Sequence, residues 1–232
     1  DILRAAKEAA AHGAERFDVV VSGADPGGDF DAICEALADV RAQTGLNTCA
    51  SLGALTRAQA RQLREAGVTR YNHNVETARA RYAEIVSTHP YQRRLETIRI
   101  VKEEGLELCC GCIIGMGESP EERVDLALEL RALEPDCVPI NVLNPIVGTP
   151  LEGTPPLPPL EIIRTIAMFR FVMPDVTLKY GGGRERNLRD LQALGMVAGV
   201  NGLILGNYLT TLGRPPEQDL QMIRDLGLEA DA

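Results

Sequence analysis

Six cysteines carry the first sign of chemistry in this chain: Cys34, Cys49, Cys109, Cys110, Cys112 and Cys137. Thiolates ligate soft metals and iron–sulfur clusters, and three of the six fall within four consecutive positions. A lone buried cysteine usually packs as a small hydrophobe, which is the reading for Cys34 and Cys137. The densest polar cluster is Tyr71-Asn72-His73-Asn74-Val75-Glu76-Thr77. Side chains alternate along a strand, so Asn72 and Asn74 share a face. With Glu76 they offer donors and acceptors suited to a ureido group, a ribose or an amino acid. His73 points the other way and reads as a packing residue. In Gly111-Cys112-Ile113-Ile114-Gly115-Met116-Gly117-Glu118, bare glycines let a flat ligand approach the backbone, whose amides and carbonyls can read an adenine edge. Asp18, Ser22, Ser51, Asn141, Lys179 and Asn201 complete the polar residues in or at the ends of otherwise apolar strands, where burial is costly unless they are paired or used.

The elements that must position these residues form a repeated helix–strand unit. Helices are predicted at 2–12, 28–43, 57–66, 91–104, 120–133, 160–173, 187–197 and 216–226. Strands are predicted at 17–21, 46–51, 69–74, 106–114, 137–143, 176–180 and 200–205. Glycines 13, 45, 67 and 105 supply left-handed helix ends. Thr56–Gln59 and Ser119–Glu122 are capping boxes, the second with Pro120 at the first helical position. Strands alternating with helices, without hairpin turns, imply parallel pairing through crossover helices. Seven strands and an opening helix fit a TIM-type (β/α)8 barrel lacking its first strand, one domain over 1–232. The open doubly wound alternative lacks its glycine-rich first turn. Residues 144–161 hold six of the fourteen prolines, and because the pattern resumes afterwards they read as a long rim loop rather than a linker.

Composition narrows the function. Length, 45% apolar and 25% charged residues describe an ordinary globular protein with no need of a disulfide framework. No apolar run reaches membrane-spanning length, and a net charge of −9 argues against a nucleic-acid partner. A cytoplasmic enzyme is the expectation.

The chain resembles the biotin synthase family of radical S-adenosylmethionine enzymes. The resemblance rests on Tyr71–Asn74, Tyr91-Gln92-Arg93-Arg94-Leu95-Glu96-Thr97, Cys109–Glu118, Val138-Pro139-Ile140-Asn141, Gly148-Thr149-Pro150-Leu151, Arg164–Ala167, Met173-Pro174 and Gly183-Arg184-Glu185. It implies a [4Fe–4S] cluster on a Cys-x3-Cys-x2-Cys loop that cleaves S-adenosylmethionine. The 5′-deoxyadenosyl radical then abstracts hydrogens from dethiobiotin, and an auxiliary iron–sulfur cluster donates sulfur. By position, the resemblance assigns S-adenosylmethionine to Asn74, Glu76, Arg94, Gly111, Ile113 and Gly115. It assigns dethiobiotin to Asn72, Asn74 and Asn141, and the auxiliary cluster to Cys49 and Cys109. A reducing electron-transfer protein and a homodimer are the implied partners.

Two departures from the family pattern stand out. No Cys-x3-Cys-x2-Cys occurs, so the chain is expected to lack its N-terminal segment and to be unable to cleave S-adenosylmethionine alone. Two of the four auxiliary-ligand places, three cysteines and an arginine around [2Fe–2S] in better-known members, hold Asp18 and Lys179. Lysine lacks arginine's planar fork, and carboxylate is a harder ligand than thiolate. Cys110 and Cys112 stand beside Cys109, pointing to a branch with a different auxiliary cluster, such as a four-iron type. A regular strand cannot aim all three thiols one way, so either a bulge re-aims one or one or two are bystanders, with Cys49, Cys109 and Cys112 the favoured set. The rivals are radical enzymes similar to methylornithine synthase or the hydrogenase maturases. Beyond those stand a Schiff-base lyase using Lys179, one of three lysines, and a non-catalytic barrel remnant.

Overall fold

The computed structural model describes residues 1–208 and 212–229. Its elements run α1 (Ile2–Ala11), β1 (Arg16–Val20), α2 (Phe30–Thr44), β2 (Asn47–Ser51), α3 (Arg57–Glu65) and β3 (Val68–Asn72). They continue with α4 (Arg79–Ile85), α5 (Tyr91–Glu103), β4 (Glu107–Cys109), β5 (Cys112–Ile114), α6 (Pro120–Ala132) and β6 (Cys137–Val142). The last are α7 (Pro159–Val172), β7 (Thr177–Tyr180), α8 (Arg184–Leu188), a 3-10 turn (Arg189–Leu191), α9 (Gln192–Val197), β8 (Gly202–Leu203) and α10 (Pro216–Asp225). The chain divides into two compact units. The first holds residues 1–73 and 91–109, the second 74–90 and 110–229.

In the first unit β1, β2, β3 and β4 pair in parallel, in chain order. Their register aligns Asp18 with Cys49, Cys49 with Arg70, Arg70 with Glu107, and Asn72 with Cys109. Partners in register project to the same face, so one face carries all of these side chains. The other carries Val19, Ala50, Tyr71 and Leu108, all buried. Amphipathic α1 sets Ala6 against Val40 of α2 and Leu46, with Ile2, Leu3, Ala10 and Phe17 closing round them. The expected caps form: Gln59 N–H donates to Thr56 Oγ1 at 3.3 Å, Thr56 N–H donates to Gln59 Oε1 at 2.9 Å, and Gly45 ends α2 at φ 73°.

In the second unit β5, β6, β7 and β8 pair in parallel, again in chain order. Ile114, Ile140, Leu178 and Tyr180 form the face covered by helices, with Leu126 and Leu130 of α6 and Ile166 and Phe169 of α7 buried as well. Tyr180 fixes which face that is, because its hydroxyl donates to the carbonyl of Gln192 in α9 at 2.6 Å. The Ser119–Glu122 capping box starts α6 as its residues require, each amide held by the other side chain at 2.6 and 3.1 Å.

Four departures from the sequence reading have physical causes. The strand expected over 106–114 is two strands broken at Cys110 and Gly111. Gly111 stands one position before the Cys112–Ile140 pair, opposite Pro139, which has no N–H to give a neighbouring strand. The helix expected over 187–197 is split because Arg189 adopts φ 53°. The last strand is only Gly202–Leu203, because Asn201 satisfies the Leu178 amide with its side-chain oxygen, at 2.9 Å. Helix α4 was not expected at all. The proline-rich stretch is a loop, as read: its two ends lie in the same unit and α7 begins at Pro159.

Candidate active site

On the open face of the first unit, polar residues stack in two layers. Nearer the strand starts, the Glu107 carboxylate accepts from Arg70 Nε at 2.8 Å and lies 3.4 Å from Arg16 Nη2. Two residues further along each strand come Asp18, Asn72 and Cys109, with Cys49 in register between Asp18 and Arg70. The Asp18 carboxylate accepts a hydrogen bond from Nδ2 of Asn72, and Asn72 Oδ1 is buried with no hydrogen-bond donor. Cys49 and Cys109 are 4% and 1% exposed. Tyr71 steadies the exit of β2 from the opposite face. Its hydroxyl donates to Gly53 O at 2.7 Å and accepts from Leu52 N at 3.0 Å. Burial pushes the Tyr71 phenol above its ordinary pKa, which keeps the donated proton in place. His73 follows Tyr71 on that covered side, buried and stacked on its ring at 6.4 Å, the packing role anticipated for it. Arg94 lies half-buried on α5.

In the second unit the open face of β5, β6 and β7 carries Ile113, Asn141 and Lys179, all half-buried. Asn141 is held at both ends of its carboxamide: Nδ2 donates to Cys112 O at 3.0 Å and Oδ1 accepts from Gly182 N at 2.8 Å. Asn74 Oδ1 accepts from Gly111 N at 3.0 Å. Glu76 takes a left-handed φ of 69°, and its carbonyl accepts from Ile113 N at 2.8 Å. Its side chain stays half-buried.

Cys112, one of the expected ligands, faces the helices of its own unit. It is in register with Ile140, which is in register with Tyr180, so it projects toward the helices and away from the face of Asn141. It is fully buried, and burial first, then the nearby Glu118, Cys110 and Glu76, hold its thiol well above the ordinary range. Cys110 is equally enclosed.

The glycine-rich segment also works differently from the sequence reading. A β-carbon on Gly111 would sit 2.0 Å from Pro139 O, so strand packing by itself requires glycine there. The amides of 111, 113, 115 and 116 already donate to Asn74, Glu76 and Glu118, leaving the Ile113 side chain and second lone pairs on carbonyls for a flat ligand. Glu118, the conspicuous end of the motif, is a structural staple. It accepts from Gly115 N at 2.7 Å and Met116 N at 2.8 Å, and pairs with buried Arg123 at 3.3 Å. Arg81 of α4 braces the same turn by donating to Met116 O at 3.0 Å. No local signal announced Arg81 or the Arg16–Glu107–Arg70 layer, because each acts on a residue distant in the chain. Asn201, grouped with the site residues by type, is structural.

Among the described residues no group of three or more His, Cys, Asp or Glu side chains is arranged to hold a metal ion, and no helix is long and apolar enough to cross a membrane. Two buried thiols on one polar strand face, with a carboxylate and a carboxamide on the same face, fit an iron–sulfur group in donor chemistry.

Residues 1–130 match the radical SAM superfamily model, and residues 139–229 match the biotin and thiamin synthesis associated domain. The chain is 55% identical to the biotin synthase of Carboxydothermus hydrogenoformans, over 98% of this chain and 71% of that one. It is 51% identical to the biotin synthase of Desulforudis audaxviator, over 98% and 70%. Among solved structures it is similar to methylornithine synthase (TM-score 0.81, 22% identity, 98% of this chain, 73% of that one). It is also similar to HydG, a maturase of the [FeFe]-hydrogenase (TM-score 0.82, 17% identity, 98% and 55%). Those two likenesses give the fold: α/β, an incomplete TIM-type barrel with seven parallel strands, β4 and β5 counting as one interrupted strand. The chain belongs to the biotin synthase family, enzymes of sulfur insertion within the radical SAM superfamily.

Proposed function

We propose that the open strand faces of this chain bind dethiobiotin and S-adenosylmethionine and hold the sulfur-donating iron–sulfur group through Cys49 and Cys109. The observation that carries this reading is the register that puts Asp18, Cys49, Asn72 and Cys109 on one face. An auxiliary iron–sulfur cluster held there by Cys49 and Cys109 would supply the sulfur for converting dethiobiotin to biotin, and the family's [4Fe–4S] cluster, whose Cys-x3-Cys-x2-Cys loop does not occur in this sequence, would serve the cleavage of S-adenosylmethionine. The chain's own residues bind and orient. Family position assigns Asn72 and Asn141 to dethiobiotin, and Asn141 is pre-set by its two backbone bonds. Asn74 and Glu76 serve the ribose, with Arg94 assigned there by family position. Ile113 supplies an apolar surface for the adenine. Cys110 and Cys112 stay in the core. A reducing electron-transfer protein, a cytoplasmic setting and a homodimer belong to the same reading.

Single Cys→Ala variants, reconstituted anaerobically and assayed for iron and sulfide, test it. Cys49→Ala and Cys109→Ala lose iron and the associated visible absorption, while Cys112→Ala keeps them. Full iron in both of the first two variants would refute the assignment.

A further inference from the structure

Asp18 stands where the family pattern holds a cluster ligand, yet the structure gives it a defined partner in Asn72. An ionised carboxylate offers acceptors only, so the Asn72 amide must turn its nitrogen to Asp18 and its oxygen away. Carboxamide orientation is set by such networks, and here one neighbour decides it. The oxygen is then a buried acceptor that no donor reaches. A buried acceptor without a donor is unfavourable until one arrives, and native proteins tolerate few. A mere strap between β1 and β3 would need the Asp18 bond and would not leave the second amide atom unmet.

We propose that Asp18 is a positioning residue that locks Asn72 as an obligate acceptor for a ring N–H of the ureido group, so that the chain selects ligands that donate at this point. The inference rests on the dethiobiotin reading above and adds a cause for its specificity. Asp18 is exposed at the middle of β1, on the polar face it shares with Cys49. Asp18→Asn keeps size and removes the constraint: an amide can donate as well as accept, and Asn72 becomes free to present either end.

Calorimetric binding of dethiobiotin to the full chain is compared with binding of its two oxazolidinone analogues, in which one ring N–H or the other is replaced by oxygen at constant shape. The unmodified chain prefers dethiobiotin over one of the two analogues by roughly ten-fold or more, the usual effect of leaving a buried polar group unmet. In Asp18→Asn that preference falls to about three-fold or less, with an unchanged urea midpoint. Equal affinity of the unmodified chain for all three ligands overturns the proposal without any variant. Full preference retained in Asp18→Asn overturns it too. Absence of dethiobiotin binding by the unmodified chain instead defeats the functional reading on which it rests.

Discussion

A β-carbon placed on Gly181 would fall 2.2 Å from Oδ1 of Asn141. The carboxamide cannot yield without breaking its bonds to Cys112 O and Gly182 N. Gly181→Ala therefore displaces the Asn141 side chain, costing about 1–3 kcal/mol by urea denaturation. Dethiobiotin affinity, read by calorimetry, falls roughly ten-fold. An unchanged affinity would show that Asn141 does not serve the ligand.

Arg184 and Asp219 make a buried pair, 2.5 Å apart with side chains 1% and 0% exposed, joined by Gln192 and Tyr208. Burial pushes the Tyr208 hydroxyl up to about 12, so it keeps its proton and donates to Glu185 at 2.9 Å. Asp219→Ala leaves buried Arg184 with Glu185, 3.2 Å away, as its remaining carboxylate and destabilises by about 3 kcal/mol. Replacing both partners with apolar residues of similar volume costs much less. Urea unfolding of the single and double variants gives the two values, and hydrogen exchange shows α10 losing protection in the single variant.

Glu118→Ala removes the acceptor from two amides and the partner of Arg123, whose remaining carboxylate, on Glu161, lies 3.6 Å away. Stability drops by about 3 kcal/mol, the cost of orphaning a buried charge that keeps a second, more distant partner. The Gly115–Gly117 turn loosens with it, so amide exchange there rises by orders of magnitude while exchange in β2 is unaffected.

Two thiols make stability fall at high pH. Burial, and secondarily Asp31, push Cys34 up to about 11, and Cys112 is raised as well. Below the ordinary thiol pKa both folded and unfolded chains keep these protons, so the full stability is present. As pH rises from about 9 toward 11 the unfolded thiols ionise while the folded ones resist, and stability is lost. The urea midpoint declines over that window, and Cys34→Ala flattens the decline. In the native chain iodoacetamide at pH 8.5 leaves Cys112 unmodified, and 8 M urea releases it to alkylation.

The helix starts at Thr56 and Ser119 and the helix end at Gly45 were readable because each depends on residues within a turn of itself. The parallel α/β pattern was readable for the same reason, along with the candidates Cys49, Cys109, Asn72, Asn74 and Asn141. Strand alternation even warned that Cys109 and Cys112 could not share a regular strand face. What local reasoning could not supply was the partner of each side chain. The break at Gly111 depends on Pro139 beside it, α4 carries an Arg81 that braces the turn at Met116, and Asn201 takes over a ladder bond from Leu178. The paired charges of Arg16, Arg70 and Glu107 come from three different strands.

Residue types and short-range spacing thus determined the class of the elements, the family and the pool of reactive side chains, since those follow from neighbours a few positions apart. Tertiary structure alone decided which thiols share a strand face with Asp18 and Asn72 and which face the helices, and which end of Asn72 is left to a ligand. The reason is register: a strand's facing is set by the strands it pairs with, and those pairings join residues tens of positions apart.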